Sequence, residues 1–593
     1  MYGWKGKILK IDLSKGKHFQ INLDQDIYLN WLGGRGLAGY FLRDYIHLNW
    51  DSPDMPLCLF TGPLVGTSSP ASGRMTIMSR SPLTGTIGDS SVGGSLGINI
   101  KRAGWDGFII TGKNKNLCGI EIIDDSINIV SAAHMAFWKT SKIFNQLRKK
   151  GSIAAIGPAA ENGVAFSNIM IDSHFAAGRN GLGLIFAAKN IKYILVKGNG
   201  KNQVKDLQAL KKASEDVLRL VSSSPVLLGE HGISKFGTGA LYDLISVRKM
   251  IPTDNFRNTF FTNFSSMNAW SFKKKYNPHS KGCKGCNILC KKLFKPDKIN
   301  PSQNNCEIPI PEYETMAHFS ALINNNDIDI VTKANQICND MGMDTISAAS
   351  TIACFQEACK MNLKSENVLS MLDQIGQGIG IGRELASGSF NYAQKIGKPQ
   401  ISMSVKGQDL PAYDPRGSYS MALAYVTSTR GGCHLRAYPI SHEILRKPVA
   451  TDRFSYSGKA RIVKIAEDMF CIADSLTICK FALLAASLEE YSVIFKAVTN
   501  VDYSNQDLMK IGEKIFYNEK IMNAVNGFDI KDDDLPDRFF SQDGFCDNET
   551  SIKAIDKNEF YKLRSNYYKI RGLDENGIPL AKKAEELGLD WKN

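Results

Sequence analysis

Long apolar runs are absent from this 593-residue chain. No stretch approaches the roughly 18 uninterrupted apolar residues of a membrane-spanning helix, so a helical membrane protein is not expected. Met1 to Gly16 has no continuous apolar stretch, alternates polar and apolar residues and reads as a strand and not as a secretory leader, so a cytoplasmic protein is expected. There is no repeat of fixed period and no low-complexity tract, which sets aside repeat architectures. Histidine is scarce, nine in all, and a histidine taken at random is more often structural than catalytic.

What is present is an ordinary globular composition, 43% hydrophobic and 22% charged, with a length that calls for several domains. The formal net charge of +13 suits either a solvated basic surface or a docking surface for an acidic redox protein. Basic clusters such as Lys273 to Lys275 are short, so nucleic acid is not expected as a partner.

Lys7 to Leu23 reads as a hairpin turning at Ser14-Lys15-Gly16-Lys17, and strand-like runs follow at Leu57 to Phe60, Met75 to Ser79, Phe108 to Thr111, Ile120 to Ile123 and Tyr193 to Val196. Residues 1–204 are therefore expected to form a β-rich domain. Asp206 is placed to cap a helix starting at Leu207, and helical periodicity dominates afterwards, for instance in DIVTKANQICNDMG and SAASTIACFQEACKMN. Residues 205–403 and 404–593 are expected as two mainly helical domains, giving an α+β multidomain protein.

The 13 cysteines of a chain expected in a reducing compartment suggest metal or redox chemistry rather than disulfides. Cys283, Cys286 and Cys290 spell C-x2-C-x3-C, with Gly282 and Gly285 allowing the backbone to wrap a bulky ligand. Three clustered thiolates plus one distant cysteine fit an iron–sulfur cubane. A structural zinc site is the alternative, although no second C-x2-C knuckle is present. Spacing alone leaves Cys306, Cys338, Cys433, Cys471 and Cys479 open as the fourth ligand.

Many separated motifs resemble the aldehyde:ferredoxin oxidoreductase family, in order and from end to end: Leu32-Gly33-Gly34-Arg35-Gly36, Thr61-Gly62-Pro63-Leu64, Gly73-Arg74, Ser81-Pro82-Leu83-Thr84-Gly85, Ala176-Ala177-Gly178-Arg179, Pro311-Glu312-Tyr313-Glu314, Tyr413-Asp414-Pro415-Arg416 and Arg430-Gly431-Gly432-Cys433-His434. The resemblance implies a β-rich base domain carrying a tungsten or molybdenum bis-pterin, one [4Fe-4S] cluster, and metal coordination by the pterin dithiolenes with no protein ligand, with magnesium bridging the pterin phosphates. Two D-x-x-G-L-[D/C] segments grip the pterins in such proteins. They match residues 339–344 and 474–479, nominating Asn339, Met343, Asp344, Asp474 and Ile478 for the cofactor and Cys479 as fourth cluster ligand. Read singly, Asp344 would be a helix N-cap and Asp474 the partner of a surface lysine.

By the same resemblance Arg74 lies between cluster and pterin, Ser91, Gly93, Ala176 and Gly178 approach cofactor phosphates, and Glu314 and His434 handle protons. The carboxylate takes a proton and the histidine polarises or protonates the substrate oxygen; Glu312 is a weaker candidate. The implied reaction is oxidation of an aldehyde to a carboxylic acid, with electrons leaving singly through the cluster to ferredoxin or a similar acidic carrier. A relative acting on another acid or acyl substrate, and a non-enzymatic redox or assembly protein without the pterin metal, are the alternatives. They are motivated by departures from the pattern: Asn339 for Asp, Thr477 for Gly, Phe175 for an arginine whose loss removes a phosphate partner, and Ser91 for Asn. Lys333 stands where dimeric members carry a glutamate ligand, so an intersubunit iron is not expected; a homodimer remains compatible.

Overall fold

A computed structural model describes residues 1–295 and 307–592; Cys306 lies outside the described residues. The N-terminal part contains two six-stranded sheets. The first runs in the spatial order Lys17–Asn22, Lys7–Asp12, Gly107–Thr111, Leu57–Phe60, Met75–Arg80, Ile87–Val92. The second runs Phe175–Ala177, Ile169–Ile171, Ser152–Ala155, Ile191–Lys197, Cys118–Ile123, Ser126–Ser131. The hairpin at the amino terminus forms as its alternation indicates, with Lys7 opposite Asn22 and Asp12 opposite Lys17.

Side chains alternate between the faces of a strand, so the period-two pattern determines which layer each residue joins. Leu9, Ile11, Leu57, Leu59 and Ile77 of the first sheet share a core with Ile120, Ile122, Ile171, Ile194 and Val196 of the second. Their neighbours Ile8, Cys58, Phe60, Met78 and Ile109 point the other way, into the large helical core. The outer face of the second sheet, with Ile153, Met170 and Leu195, packs on Ile143, Phe144 and Leu147 of the helix Thr140–Leu147. The first sheet is thus buried on both faces.

Helices dominate after residue 206. Asp206 accepts hydrogen bonds from the backbone N–H groups of Gln208 and Ala209 at the start of Leu207–Ser223. The two periodic segments form the helices Ile328–Met341 and Thr345–Cys359. The long helix Lys459–Leu476 lies against the helix Gly34–Leu42 and the sheet-bearing domain. That approach is close: a Cβ on Gly62 would stand 2.5 Å from the backbone of Leu476, and one on Gly33 3.0 Å from the Ser475 carbonyl. The glycines of the early motifs therefore let the end of this helix, from Asp474 to Cys479, seat directly on the β domain.

Candidate functional site

The C-x2-C-x3-C motif is the loop of a β-hairpin. His279–Lys281 pairs antiparallel with Lys291–Phe294, so the chain enters and leaves the loop at one point. Cys479 reaches it from the end of the helix Lys459–Leu476, its N–H donating to the Ala71 carbonyl at 2.7 Å. Cys479 lies within electrostatic reach of Cys283, Cys286 and Cys290, and all four are half-buried. Burial raises Cys286 and Cys290 above the ordinary thiol range, assisted next by Cys479 at Cys286 and by Glu312, then Cys479, at Cys290. Burial also raises Cys479, against the pull of Arg74. Among the described residues no three His, Cys, Asp or Glu side chains converge as ligands of one metal ion.

Gly93 belongs to this side of the site. A Cβ there would stand 2.6 Å from the Cys283 sulfur and 3.2 Å from the Phe175 ring, so only glycine lets the cysteine loop rest on the sheet. Arg74 donates from Nε to the Ser91 hydroxyl at 3.0 Å and from Nη2 to the Ser91 carbonyl at 2.6 Å. Burial disfavours its charge, but Cys479, Cys283, Asp474 and Cys290 more than offset that. Arg74 is thus within electrostatic reach of both the thiols and Asp474. The Phe175 ring leans on Gly93 and Gly94, with the Lys291 ammonium 5.7 Å from its centre.

Asp474 is almost fully buried, and its lysine partner is no surface residue: Lys480 Nζ lies 2.7 Å from Oδ2 and also donates to the Leu435 carbonyl at 3.0 Å. Arg35 is 3.6 Å away on the other side and is held by Glu519 through two 2.6 Å bonds. Ile478 is buried and closes the helix end by donating to the Ala473 carbonyl. Thr477 adopts φ +60°, so the positive φ that glycine usually supplies is required here and a β-branched residue meets it.

The first motif segment turns at Gly342 and docks on residues 166–168 of the β domain, where Asn168 N–H donates to the Gly342 carbonyl and Asp344 N–H to the Phe166 carbonyl. Met343 is buried in that contact. Asp344 does cap the helix Thr345–Cys359, accepting from the N–H groups of Ile346 and Ser347. It also faces Arg179 Nε at 3.0 Å, so the capping carboxylate carries an ion pair as well. The side chain of Asn339 joins no hydrogen bond among the described residues; its carbonyl accepts from Thr140. Ala176 is exposed, and a Cβ on Gly178 would meet nothing nearer than 3.8 Å.

Glu314 and His434 come together: Nε2 of the histidine is 3.6 Å from Oε1 of the carboxyl. The Ala412 N–H donates to Glu314 Oε2 at 2.8 Å. Burial pushes the Glu314 carboxyl up to about 8, assisted by Asp344 and Cys433 and opposed by the Ala412 N–H and Arg179. Burial, followed by Arg179, Arg430, Lys480 and His318, holds His434 well below its ordinary value. At neutral pH this is a protonated acid beside a neutral imidazole, not an ion pair. In that state Glu314 carries the proton and His434 a free lone pair. Glu312 is elsewhere, bound to Thr238 and, at 2.5 Å, to Lys291 beside Cys290.

Several side chains escaped the sequence reading. Arg430 donates to the Cys433 sulfur from Nε and Nη2, at 3.2 and 3.0 Å, and to the Asp89 carbonyl at 2.6 Å. Together with Arg436 and Arg179 it holds this thiol below the ordinary range despite burial. Arg436 pairs with Asp89. His318 sits with one ring nitrogen 2.7 Å from the Glu314 carbonyl and the other 3.2 Å from the Leu410 carbonyl, tying the Glu314 helix to the strand end that precedes Ala412. The signal for Arg430 and Arg436 was their position around Gly431-Gly432-Cys433-His434, and for Arg179 its place in Ala176-Ala177-Gly178-Arg179.

The residues fit an anionic cofactor with a polar edge. Around Asp474 five cations, Arg35, Arg74, Arg430, Arg436 and Lys480, face three carboxylates, Asp89, Asp474 and Glu519. Buried charge requires a counterpart, and the excess is positive. Buried acceptors at Asp474 Oδ1 and Asp409 Oδ2, and donors at Arg35 Nη1 and Arg179 Nη1, have no hydrogen-bond partner among the described residues. Such groups match a ligand that both donates and accepts.

The chain resembles known proteins along its whole length. The family description "Aldehyde ferredoxin oxidoreductase, N-terminal domain" matches residues 8–198, and "domains 2 & 3" of the same family matches residues 212–589. The chain belongs to the aldehyde ferredoxin oxidoreductase family. It is 33% identical over 616 residues to the tungsten-containing aldehyde ferredoxin oxidoreductase of Pyrococcus furiosus, covering 99% of both chains, and equally similar to that of Thermococcus kodakarensis. An aliphatic sulfonate oxidoreductase subunit of Pyrococcus furiosus is 25% identical over 99% of this chain and 97% of its own. The fold is also that of the active site complex BamBC of benzoyl coenzyme A reductase, with a TM-score of 0.84 at 21% identity, covering 99% and 97% of the two chains. The proteins this chain resembles are thus named for different substrates. No helix among the described residues is long and apolar enough to cross a membrane.

Proposed function

We propose that this member oxidises an aldehyde to the carboxylic acid at a tungsten or molybdenum bis-pterin, and passes the electrons singly through a [4Fe-4S] cluster to a ferredoxin-type carrier. The observation that carries the reading is Lys480. It follows Cys479 in sequence, binds Asp474, and holds the Leu435 carbonyl next to His434, so one side chain ties the thiols, the cofactor-facing carboxylate and the acid–base pair together. The single C-x2-C-x3-C motif, with no second C-x2-C knuckle in the sequence, supports a cluster over zinc.

Asp474, Arg74 and Lys480 would hold the pterin nearer the cluster, and Asp344, Met343 and Arg179 the other, with Ser91, Ala176 and Gly178 beside the phosphates. When bound, the metal centre supplies the two-electron redox chemistry. The chain's own residues position the substrate and move protons. Conversion of RCHO and water to RCOOH releases two electrons and two protons. The Glu314 acid donates a hydrogen bond to the aldehyde oxygen, and the His434 lone pair accepts a proton from the attacking oxygen. Tyr413 and Tyr438, joined through their hydroxyls at 2.9 Å, flank the imidazole with ring centres 5.7 and 6.2 Å away and shield it from water.

The test is anaerobic purification, metal analysis and a viologen-linked substrate panel run in both directions. Tungsten or molybdenum near one per chain, about four irons and turnover of several plain aldehydes are expected. Turnover confined to acids or acyl compounds would move the protein beside its relatives of other chemistry, and iron without tungsten or molybdenum would sink the enzymatic reading.

A further inference from the structure

The strand that leaves the cysteine loop opens with two lysines, Lys291 and Lys292, directly after Cys290. Successive side chains of a strand face opposite ways, and the two ammonium groups meet different surroundings. Lys292 donates to neutral oxygens, the Leu289 carbonyl at 3.0 Å and the Ser280 hydroxyl at 2.6 Å, and so clamps the hairpin. Lys291 has a carboxylate partner instead: its Nζ lies 2.5 Å from Glu312 Oε1. The same ammonium stands 5.7 Å from the centre of the Phe175 ring. That ring and the Cys283 sulfur crowd one point at Gly93, where a Cβ would be 3.2 Å from the first and 2.6 Å from the second. Lys291 therefore follows one cysteine in sequence and is one ring away from another.

The carboxylate half of the pair is placed by the helix that bears Glu314. Glu312 immediately precedes that helix, Tyr313–Phe319. The Thr238 hydroxyl donates to Glu312 Oε2 and accepts from the Tyr313 N–H at 2.9 Å. Gly237, the residue before Thr238, sits against Cys290, since a Cβ there would be 2.9 Å from the Cys290 carbonyl. Glu312 is thus fixed beside the same cysteine that Lys291 follows, and the two act on its thiol with opposite sign. The lysine side chain is 17% exposed and the glutamate 34%, so solvent and salt screen the two charges only in part. The potential of an iron–sulfur cluster follows the charges and hydrogen bonds around it. A nearby cation favours the added electron and a nearby anion opposes it.

We infer that Lys291 and Glu312 are positioning residues that set the reduction potential of the cluster by opposed charges, the lysine raising it and the glutamate lowering it. The inference rests on the proposed function for the presence of a cluster, but not for the substrate. Its test therefore avoids the aldehyde: a redox titration of the anaerobic holoenzyme followed by electron paramagnetic resonance, with iron measured on the same samples. Lys291→Met is expected to shift the midpoint potential down and Glu312→Gln to shift it up, with the double variant between them. Lys291→Arg keeps the charge and should keep the wild-type potential. A pair that merely braces the hairpin against the helix would change iron content or signal shape without shifts of opposite sign. Potentials of both single variants equal to wild type, or displaced in the same direction, would overturn the inference. Wild-type protein without iron would overturn the cluster reading and this inference with it. Opposed shifts in a protein that oxidises no aldehyde would uphold the pair and remove only the substrate assignment.

Discussion

The two ends of the site share Lys480 yet are built to opposite specifications. The thiol end is a hairpin loop with half-buried cysteines, an exposed leucine and lysines at the surface. The acid–base end lies under Tyr413 and Tyr438, with His434 mostly buried and the Glu314 carboxyl held protonated by its surroundings. Electrons need only a close approach, so their exit can stand at the surface. Protons require defined donors and acceptors, and a dry environment is what separates a carboxylic acid and a neutral histidine from the ion pair they would form in water.

The largest effect that would separate the two ends is expected from Cys479→Ser. A missing thiolate should lower iron content sharply and abolish carrier-linked turnover, while Glu314 and His434, which it does not touch, keep their places. Elemental analysis and the visible absorption of the anaerobic protein check this. Full iron content in the variant would hand the fourth ligand position to another cysteine.

Glu314→Gln should do the reverse, leaving the iron and its spectrum intact and lowering turnover by about 10²–10⁴-fold. Wild-type turnover should fall as pH rises through about 8, where the buried acid loses its proton. The sign also holds for stability. A carboxyl raised from 4.5 contributes its full stabilising share below pH 4.5 and loses it as pH climbs toward 8, so the glutamine variant should lose less stability than wild type over that window. A pH–rate profile and denaturation series on both proteins would show it; an unchanged alkaline limb in the variant would exclude Glu314 as its source.

The same contrast governs what could be read from the sequence. The cysteine loop was legible because its ligands are local, eight residues along one hairpin, and the first strands and Asp206 were legible through alternation and capping. The acid–base end is assembled from pieces far apart in the chain. Arg430 meets Asp89 across 341 positions and Arg35 meets Glu519 across 484, and no periodicity foretells such pairs. Family resemblance named Glu314 and His434 but not their charge states, which depend on burial. Phe175 shows the same limit, since the reading of a lost phosphate partner missed that its ring supports Gly93 beneath the cysteine loop.

Thr477 lies at the junction of the two ends, and changing it should have the smallest effect. Its carbonyl accepts from the Arg74 N–H, and two residues on is Cys479. Holding a β-branched residue at φ +60° costs roughly 1–3 kcal/mol. Glycine would remove that strain, but it would lose about 0.5–1 kcal/mol to chain entropy. It would also lose a buried methyl that touches Gly34, worth about 1 kcal/mol. The terms nearly cancel, so Thr477→Gly should alter stability by less than about 1 kcal/mol and leave iron content unchanged. Calorimetry of the anaerobic variant decides between two uses of this residue. A loss well beyond that figure would mean that the threonine packs the junction and holds the thiol end against the acid–base end. A near-neutral result would mean that Lys480 and the backbone bond from Cys479 to Ala71 hold the ends together without it.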